Sequence, residues 1–484
     1  MGLVGILASL GLLIWLSFRG WSVLLLAPVV ALLAAAISRE PLLAHWTQTF
    51  MSSAATFIAQ FFPIFLLGAL FGKLMDDSGS VQTIANFMSE KLGHQRAILA
   101  VVLAGALVTY GGVSLFVAFF VLAPMARALF QSADIPHRLM PAAIALGTST
   151  FTMSAMPGTP AIQNTIPMPF FATTPFAAPG LGIIASAIML AFGLWWLRRA
   201  ETSARKAGEG FGGGADVAAK AVADDEFIRE RATAAHEFDP AEISHGRHAD
   251  TTPSIGIAVL PLLVVVSLNL LMSIFILPCL DFSFLAEEQW GRTSLAAVAG
   301  VWSVAVALAA ASATLIVINW QRLPALRASM DAGANASVLP IFAVASLVGF
   351  GAVVAALPAF AIVRDWVLSI SGGPLVSLAI ATNILAALTG SASGGLTIAL
   401  DALGDTYLRI AVETGIDPAL MHRIAVIGSG TLDSLPHNGA VVTLLAVCGS
   451  THRKSYFDIV MANIVGPIVA LVVVIILGST LGSF

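Results

Sequence analysis

Asp433 and His437 stand four residues apart in TLDSLPHNGAVV, one on each side of Pro436. Residues at this spacing share a face wherever the backbone stays near-helical, so the carboxylate and the imidazole can meet. Histidine titrates near physiological pH. The pair therefore predicts a site that takes up and releases a proton, or one where a charged His437 holds a carboxylate. The structural alternative is that Asp433 caps an unwound segment while His437 donates a structural hydrogen bond.

Asp401 is a further candidate for moving protons. It lies in the apolar run LTIALDAL, and a carboxylate at the centre of a bilayer costs about 2.5–3.5 kcal/mol, so it needs a reason to be there. The Asp76-Asp77 pair ends an apolar run instead, and a solvated helix cap explains it. The predicted proton-coupling residues are thus His437, Asp433 and Asp401.

Two proline-containing polar segments interrupt apolar runs. In TMSAMPGTPAIQN, Pro157 and Pro160 lack the N–H that a continuous helix needs, and Pro436 has the same effect in SLPHNGAVV. Irregular backbone at membrane depth survives only inside protein or along a polar cavity. Broken helices at corresponding positions of two halves point to a transporter's binding site. The candidate substrate-binding residues at the two breaks are Gly158, Thr159, Gln163, Asn164, His437, Asn438 and Gly439.

Two glycine-rich islands, TYGGVS and TGSASGG, predict the tips of re-entrant hairpins near residues 110–114 and 390–397. At such a tip, the amides of a helix N-terminus favour an anion, and glycine lets a carboxylate approach them. Small residues are also enriched where membrane helices pack closely, so packing stays open as the alternative. The candidate tip residues are Tyr110, Gly111, Gly112, Ser114, Ser391, Ser393, Gly394 and Gly395.

The elements that carry these residues must lie in a membrane. Of the 484 residues, 58% are hydrophobic and 10% charged, with a mean hydropathy of +0.92. The uncharged runs 255–280, 293–319 and 336–363 each exceed the roughly 20 residues of a spanning helix. The composition predicts an all-α polytopic membrane protein. No basic run suggests nucleic acid, and the two cysteines have no motif spacing, so we expect no metal site or cofactor.

The chain contains an internal repeat. Gly111 and Gly394 are 283 residues apart, and the same offset separates Asp134 from Asp417. An ordered series at constant spacing predicts two copies of one membrane unit.

The repeat divides the chain into a membrane half at 1–198, a polar cytoplasmic linker at 199–252 and a membrane half at 253–484. Each half holds one hairpin tip and one broken helix. The broken helix lies near 154–167 in the first half and near 433–443 in the second. Arg198 and Arg199 mark a cytoplasmic helix end, whereas the corresponding end of the second copy carries no charge. This asymmetry predicts inverted topology.

The run YGGVSLFVAFFVLAPMARALFQSADIPHRLMPAAIALGTSTFTMSAMPGTPAIQN resembles the signature region of the gluconate permease (GntP) family. FGKLMDDSGSVQTIANF and GSASGGLTIALDAL are also similar to that family. The resemblance implies a proton-coupled symporter of small hydroxycarboxylates, such as a gluconate-like sugar acid, glycerate or 3-hydroxybutyrate. The wider ion-transporter superfamily implies a scaffold, a mobile transport domain with an elevator motion, and a homodimer in the bacterial inner membrane.

Other function classes fit less well. GSASG has alanine where a GxSxG nucleophile motif needs serine, which argues against an intramembrane hydrolase. Polar helical stripes are too scarce for a channel. A sodium-coupled carboxylate carrier remains the alternative. Arg127, Arg138 and Arg423 fall near polar links, so none is an obvious ligand, which favours monocarboxylates over dicarboxylates.

Overall fold

The computed structural model of the chain describes residues 2–18, 21–211, 248–249, 251–436 and 438–484. These residues form helices and turns and no strand, which confirms the predicted all-α class. His437 and most of the predicted linker lie outside the described residues.

The helices of the first half run in order, several of them short. They are α1 (Gly2–Phe18), α2 (Val23–Ser38), α3 (Leu42–Asp77), α4 (Ser80–Leu92), α5 (Ala97–Tyr110), α6 (Leu115–Ser132), α7 (Met140–Thr148), α8 (Phe151–Ser154), α9 (Ile162–Thr165), α10 (Pro167–Phe171) and α11 (Pro179–Lys206).

The second half continues with longer helices. They are α12 (Ile255–Cys279), α13 (Leu295–Ile318), α14 (Leu326–Ala356), α15 (Phe360–Leu368), α16 (Pro374–Thr389), α17 (Ala392–Thr414), α18 (Pro418–Thr431), α19 (Gly439–Val447) and α20 (His452–Leu481).

Seven helices in the described part of the chain are long and apolar enough to cross a membrane, namely α3, α6, α11, α12, α13, α14 and α20. Their length and composition match the thickness of a bilayer core. The chain is therefore a multi-pass membrane protein, as its composition predicts.

Two pairs of consecutive helices pack side by side as hairpins, α5 with α6 and α16 with α17. Gly390 at the second tip has a φ of +66°, the left-handed conformation that ends a helix at glycine. Ser114 caps α6 by accepting from the Phe116 amide at 3.3 Å. These tip residues stop one helix and start the next within a few positions, which keeps each turn tight.

Helical structure is interrupted twice beside these hairpins. The backbone is non-helical from residue 155 to 161, between α8 and α9, and from 432 to 436 and at 438, between α18 and α19. Proline accounts for both interruptions, because Pro157 and Pro160 lie in the first and Pro436 in the second. Asn438 then restarts the helix as the N-cap of α19, accepting from the Ala440 amide at 2.8 Å.

The buried core mixes helices of the two halves. The largest cluster joins α3 to α7 with α12 to α14, and a second joins α8, α10 and α11 with α16 to α18 and α20. A third packs α1 and α2 against α14. The hairpins and breaks are therefore held by packing from both halves.

Candidate functional site

The first hairpin tip lies against the first helix break. Tyr110 Oη donates to the carbonyl of Pro157 at 2.9 Å. Gly112 has a φ of +98°, and a Cβ there would come within 2.8 Å of Pro160 Cγ. Glycine is required at this position for its backbone conformation and for the close approach of the two segments.

Asn164 is fully buried at the first break, and both polar atoms of its side chain have protein partners. Nδ2 donates to the carbonyls of Thr159 and Pro175, each at 3.0 Å. Oδ1 accepts from Arg423 Nη1 at 3.3 Å and lies 3.3 Å from His422 Nε2. Asn164 therefore holds the unwound segment together, and its predicted contact with substrate stays a prediction.

Arg423 of α18 is more deeply buried than its sequence position near a polar link predicted. Its side chain is fully buried, and Nε and Nη2 donate to the Ala177 carbonyl at 3.0 and 2.6 Å. Nη1 also donates to the Ala155 carbonyl at 3.1 Å. Arg423 thus fixes two unwound segments of the first half from the second half. The recurrence of a His-Arg pair, His137-Arg138 and His422-Arg423, is the sequence signal that could have found it.

The second tip contacts the second break in a similar way. Asn438 Nδ2 donates to the Gly390 carbonyl at 2.8 Å and to Asp433 Oδ1 at 2.9 Å. Asp433 is half-buried, and because its carboxylate accepts from Asn438 it orients the cap residue of α19, in addition to any proton-coupling role. Its predicted partner His437 lies outside the described residues.

Several predicted tip glycines are sites of close packing. A Cβ on Gly395 would lie 2.2 Å from the backbone nitrogen of Ala386 on the other arm of the hairpin, and one on Gly394 would lie 2.5 Å from Leu347 Cδ1. At Gly111 it would come within 2.1 Å of a side chain of α12. Packing, the alternative that the sequence left open, accounts for glycine at these positions.

A cavity of about 150 Å³ lies where the first tip, the first break and the start of α17 meet α3 and α14. Four predicted site residues line it together, Gly112, Ser114, Gln163 and Ser393. The other described candidates lie outside its lining: Tyr110, Gly111, Gly158, Thr159, Asn164, Ser391, Gly394, Gly395, Asp401, Asp433, Asn438 and Gly439.

The cavity is suited to an anion without containing a charged side chain. All of its lining residues in the described part of the chain are apolar, small or neutral polar. Ser114 and Leu115 bring the start of α6 to it, and Ser393 brings the first turn of α17. Helix N-termini carry partial positive charge and unpaired amides, so both hairpins direct an electropositive end at the same space.

Gln163 supplies a polar atom that the protein leaves unused. The residue is 8% exposed, and its Oε1 is buried without a hydrogen-bond partner among the described residues. A buried acceptor left unpaired costs about 1–3 kcal/mol.

The acidic candidates lie elsewhere. Asp401 is half-buried on α17, and Asp405 one turn later is exposed. Asp77 differs from the solvated cap that the sequence suggested, because it is fully buried and its Oδ1 lies 3.0 Å from Lys73 Nζ. The i,i+4 spacing on α3 brings this pair together, so the ammonium group of Lys73 takes the place of solvent beside the carboxylate.

Comparison with known proteins identifies the family. The model of the GntP family permease matches residues 1–169. The uncharacterized transporter YxjC of Bacillus subtilis (strain 168) is 41% identical over 466 residues, which cover 95% of each chain. The chain belongs to the GntP permease family. This confirms the resemblance seen in its sequence, and the chain is accordingly a transporter and not an enzyme.

Two further proteins are similar to this GntP family member. The high-affinity gluconate transporter of Escherichia coli (strain K12) is 32% identical over 144 residues, 28% of this chain and 32% of that one. The crystal structure of the Alcanivorax borkumensis YdaH transporter matches with a TM-score of 0.49 and 14% identity, covering 91% of this chain and 89% of that one.

Proposed function

We propose that this GntP permease imports a small hydroxycarboxylate in symport with protons, and that the cavity beside Gln163 binds the substrate. The observation that carries the proposal is the convergence of two helix N-termini, at Ser114 and Ser393, on one uncharged cavity. A relative named as a gluconate transporter supports an organic anion as the substrate.

Anion binding without a cationic side chain suits a carrier. The start of α6 offers amides and the Ser114 hydroxyl, whose oxygen accepts from Phe116 and whose hydrogen can be donated to a carboxylate. Neutral donors hold a carboxylate less tightly than an ion pair buried in protein. A carrier must release its substrate in every cycle, and moderate affinity favours release.

The position of the cavity supports the elevator mechanism with two inverted repeats. One wall consists of the first hairpin tip, the first break and the start of α17, which are the elements predicted to move as a transport domain. The other wall consists of Ile64 to Ala69 on α3 and Ala336 to Val344 on α14, which we assign to the scaffold. A substrate at such a boundary travels with one wall relative to the other. Placement in the inner membrane and a homodimeric scaffold complete the proposal.

Proton coupling is assigned to the second half. Asp433 accepts from Asn438, which also holds the second tip through Gly390, so its protonation state would act on the hairpin geometry. Asp401, half-buried on the same hairpin, is the other candidate in the described residues. His437 neighbours Asn438 in the sequence and stays the predicted partner of Asp433.

The proposal is tested by reconstituting the purified protein in liposomes and following uptake of labelled gluconate, glycerate and 3-hydroxybutyrate. An inward proton gradient without sodium is compared with a sodium gradient at equal pH, and protein-free liposomes provide the background. We expect saturable uptake driven by protons alone. A requirement for sodium would replace proton coupling by sodium coupling, and uptake of none of the acids would contradict the substrate class.

A further inference from the structure

We infer that the adjoining ends of α11 and α20 bind an anionic phospholipid, with arginines of both helices on its phosphate and an aromatic cluster beside its acyl chains. This site is separate from the cavity at the hairpin tips, and it does not depend on the proposed function. Three observations carry it: aromatic rings at the end of both apolar spans, arginines that converge from two helices, and acidic neighbours that already have partners.

The two helices pack antiparallel, and both are long and apolar enough to cross a membrane. Near the end of α11, Trp196 Nε1 donates to Asp458 Oδ1 of α20 at 3.0 Å. At the opposite end of the pair, the Gly180 amide donates to the Phe484 carbonyl at 2.7 Å. The last turns of α11 and the first turns of α20 therefore leave the membrane on the same side.

Four aromatic rings connect the helices at this side. The ring centroid of Trp195 lies 5.5 Å from that of Phe192 and 6.4 Å from that of Trp196. Trp196 in turn lies 5.6 Å from Phe457 of α20. Trp195 is 54% and Phe457 65% exposed. Because tryptophan is enriched where spanning helices leave the hydrocarbon, this cluster marks the level of the lipid head groups.

Arginines of both helices lie one turn beyond the aromatic cluster, on the polar side of the boundary. Arg199 follows Trp196 by three residues on α11, and Arg453 precedes Phe457 by four on α20. Residues at these spacings share a helix face, so the contact between Trp196 and Phe457 places the two arginines on neighbouring faces. Both are exposed, as is Arg198, which stands one turn beyond Trp195.

The acidic side chains of this region already have partners. Asp458 and Glu209 both accept from Arg138, and Glu201 accepts from Arg205 Nη2 at 2.9 Å. The three arginines beyond the aromatic cluster form no ion pair with any residue in the described part of the chain. Their guanidinium groups are thus available to a phosphate, which arginine binds through two parallel hydrogen bonds.

The aromatic cluster favours a lipid over a free phosphate as the ligand. A free anion would contact the arginines alone, whereas the acyl chains of a phospholipid also cover the exposed rings of Trp195 and Phe457. Basic sites between spanning helices on the cytoplasmic side suit anionic head groups, and Arg198 and Arg199 mark that side in the sequence.

The same end of α20 contacts the second helix break. His452 Nε2 donates to the Pro436 carbonyl at 2.7 Å, and Tyr456 Oη donates to the Ser434 carbonyl at 3.1 Å. Both donors lie within one turn of Arg453. A lipid that holds the first turn of α20 therefore also restrains the break.

The test titrates short-chain phosphatidylglycerol, short-chain phosphatidylcholine and inorganic phosphate into the purified full-length protein in a non-ionic detergent. Binding is followed by tryptophan fluorescence, since Trp195 and Trp196 lie at the site. We expect phosphatidylglycerol to bind roughly 10- to 100-fold more tightly than phosphatidylcholine, because each arginine near a head group favours the anionic lipid. Inorganic phosphate should show no saturable binding over the same concentrations.

The double variant Arg199→Gln with Arg453→Gln removes the two converging charges. We expect its affinity for phosphatidylglycerol to fall to within about threefold of that for phosphatidylcholine. The matched control, Arg292→Gln with Arg327→Gln, removes the same charge from two exposed arginines elsewhere and should keep the preference of the parent protein. Arg199→Lys with Arg453→Lys retains the charge and should keep most of that preference.

The outcomes decide between a lipid site, an anion site and no site. Equal binding of the two lipids by the parent protein, or an unchanged preference in the double glutamine variant, would overturn the inference. Inorganic phosphate that binds as tightly as phosphatidylglycerol would overturn the assignment to a lipid. Saturating phosphatidylglycerol should also slow amide hydrogen exchange at residues 432–435 in the parent protein but not in the double glutamine variant, and equal exchange in both would overturn the link to the break.

Discussion

Replacing Gly395 by alanine should force apart the two arms of the second hairpin. A Cβ at this position would lie 2.2 Å from the backbone nitrogen of Ala386 and 2.3 Å from its Cα, and backbone atoms of a packed helix cannot rotate away. Ordinary van der Waals contact begins near 3.4 Å, so the arms must separate by about 1 Å. Overpacking of this kind costs about 1–3 kcal/mol.

The same displacement should reach the cavity. Ser393 is two residues before Gly395 on the same helix, and a misplacement of about 1 Å at a working site can lower a rate by roughly 100-fold. We therefore expect Gly395→Ala to lower the melting temperature in detergent by several degrees and to reduce uptake by roughly 10- to 100-fold.

Gly11→Ala is the matched control for this experiment. Gly11 lies inside α1, and among the described residues no atom beyond its own helical turn lies within 4 Å of the position of its Cβ, so the variant should melt and transport like the parent protein. Wild-type stability and uptake in Gly395→Ala would refute the reasoning, because they would show that the hairpin arms are not in close contact.

Two further predictions concern the residues that hold the breaks. Asn438→Ala removes the cap of α19 and the bond to Gly390, so it should destabilise the protein by about 1–2 kcal/mol in thermal unfolding. Asn438→Ser retains an uncharged cap oxygen beside Asp433 and should be more stable than Asn438→Ala. Equal stability of the parent protein and both variants would contradict the role of the cap. Arg423→Lys keeps the charge but cannot reach the Ala155 and Ala177 carbonyls together, so it should lower the free energy of unfolding by about 1–3 kcal/mol. Arg409→Lys, on the exposed face of α17, is the control and should leave the stability unchanged. Identical melting temperatures of the two variants would refute the bridging role of Arg423.

The helix breaks and the hairpin tips could be located from the sequence because each depends on the residue type at that position and not on distant parts of the chain. Proline removes an N–H wherever it stands, and the segment around Pro157 and Pro160 is non-helical for that reason. Ser114 and Gly112 follow from the same kind of local argument. Their meeting with Ser393 depends on how two hairpins from different halves pack, and no local pattern contains that information.

The roles of Asn164 and Arg423 show where local reasoning ends. An amide beside a helix break is equally suited to a substrate and to a neighbouring carbonyl, and Asn164 is surrounded by Thr159, Pro175 and Arg423, which occupy its polar atoms. Arg423 is more than 240 residues from the carbonyls it binds. Only the tertiary fold decides that its charge is buried there. Gln163, by contrast, is one residue from Asn164, lines the cavity, and has a buried Oε1 without a hydrogen-bond partner among the described residues.

The most direct test of the account is protection of a cysteine in the cavity by substrate. Ser393→Cys is introduced after Cys279→Ser and Cys448→Ala, which remove the native thiols, and its labelling by a small methanethiosulfonate reagent is timed with and without a transported acid. Thr414→Cys, at the exposed end of the same helix, is the control. We predict that substrate slows labelling of Ser393→Cys with a half-maximal concentration near the transport KM and leaves Thr414→Cys unaffected. Unchanged labelling at saturating substrate, in a variant that still transports, would place the binding site elsewhere.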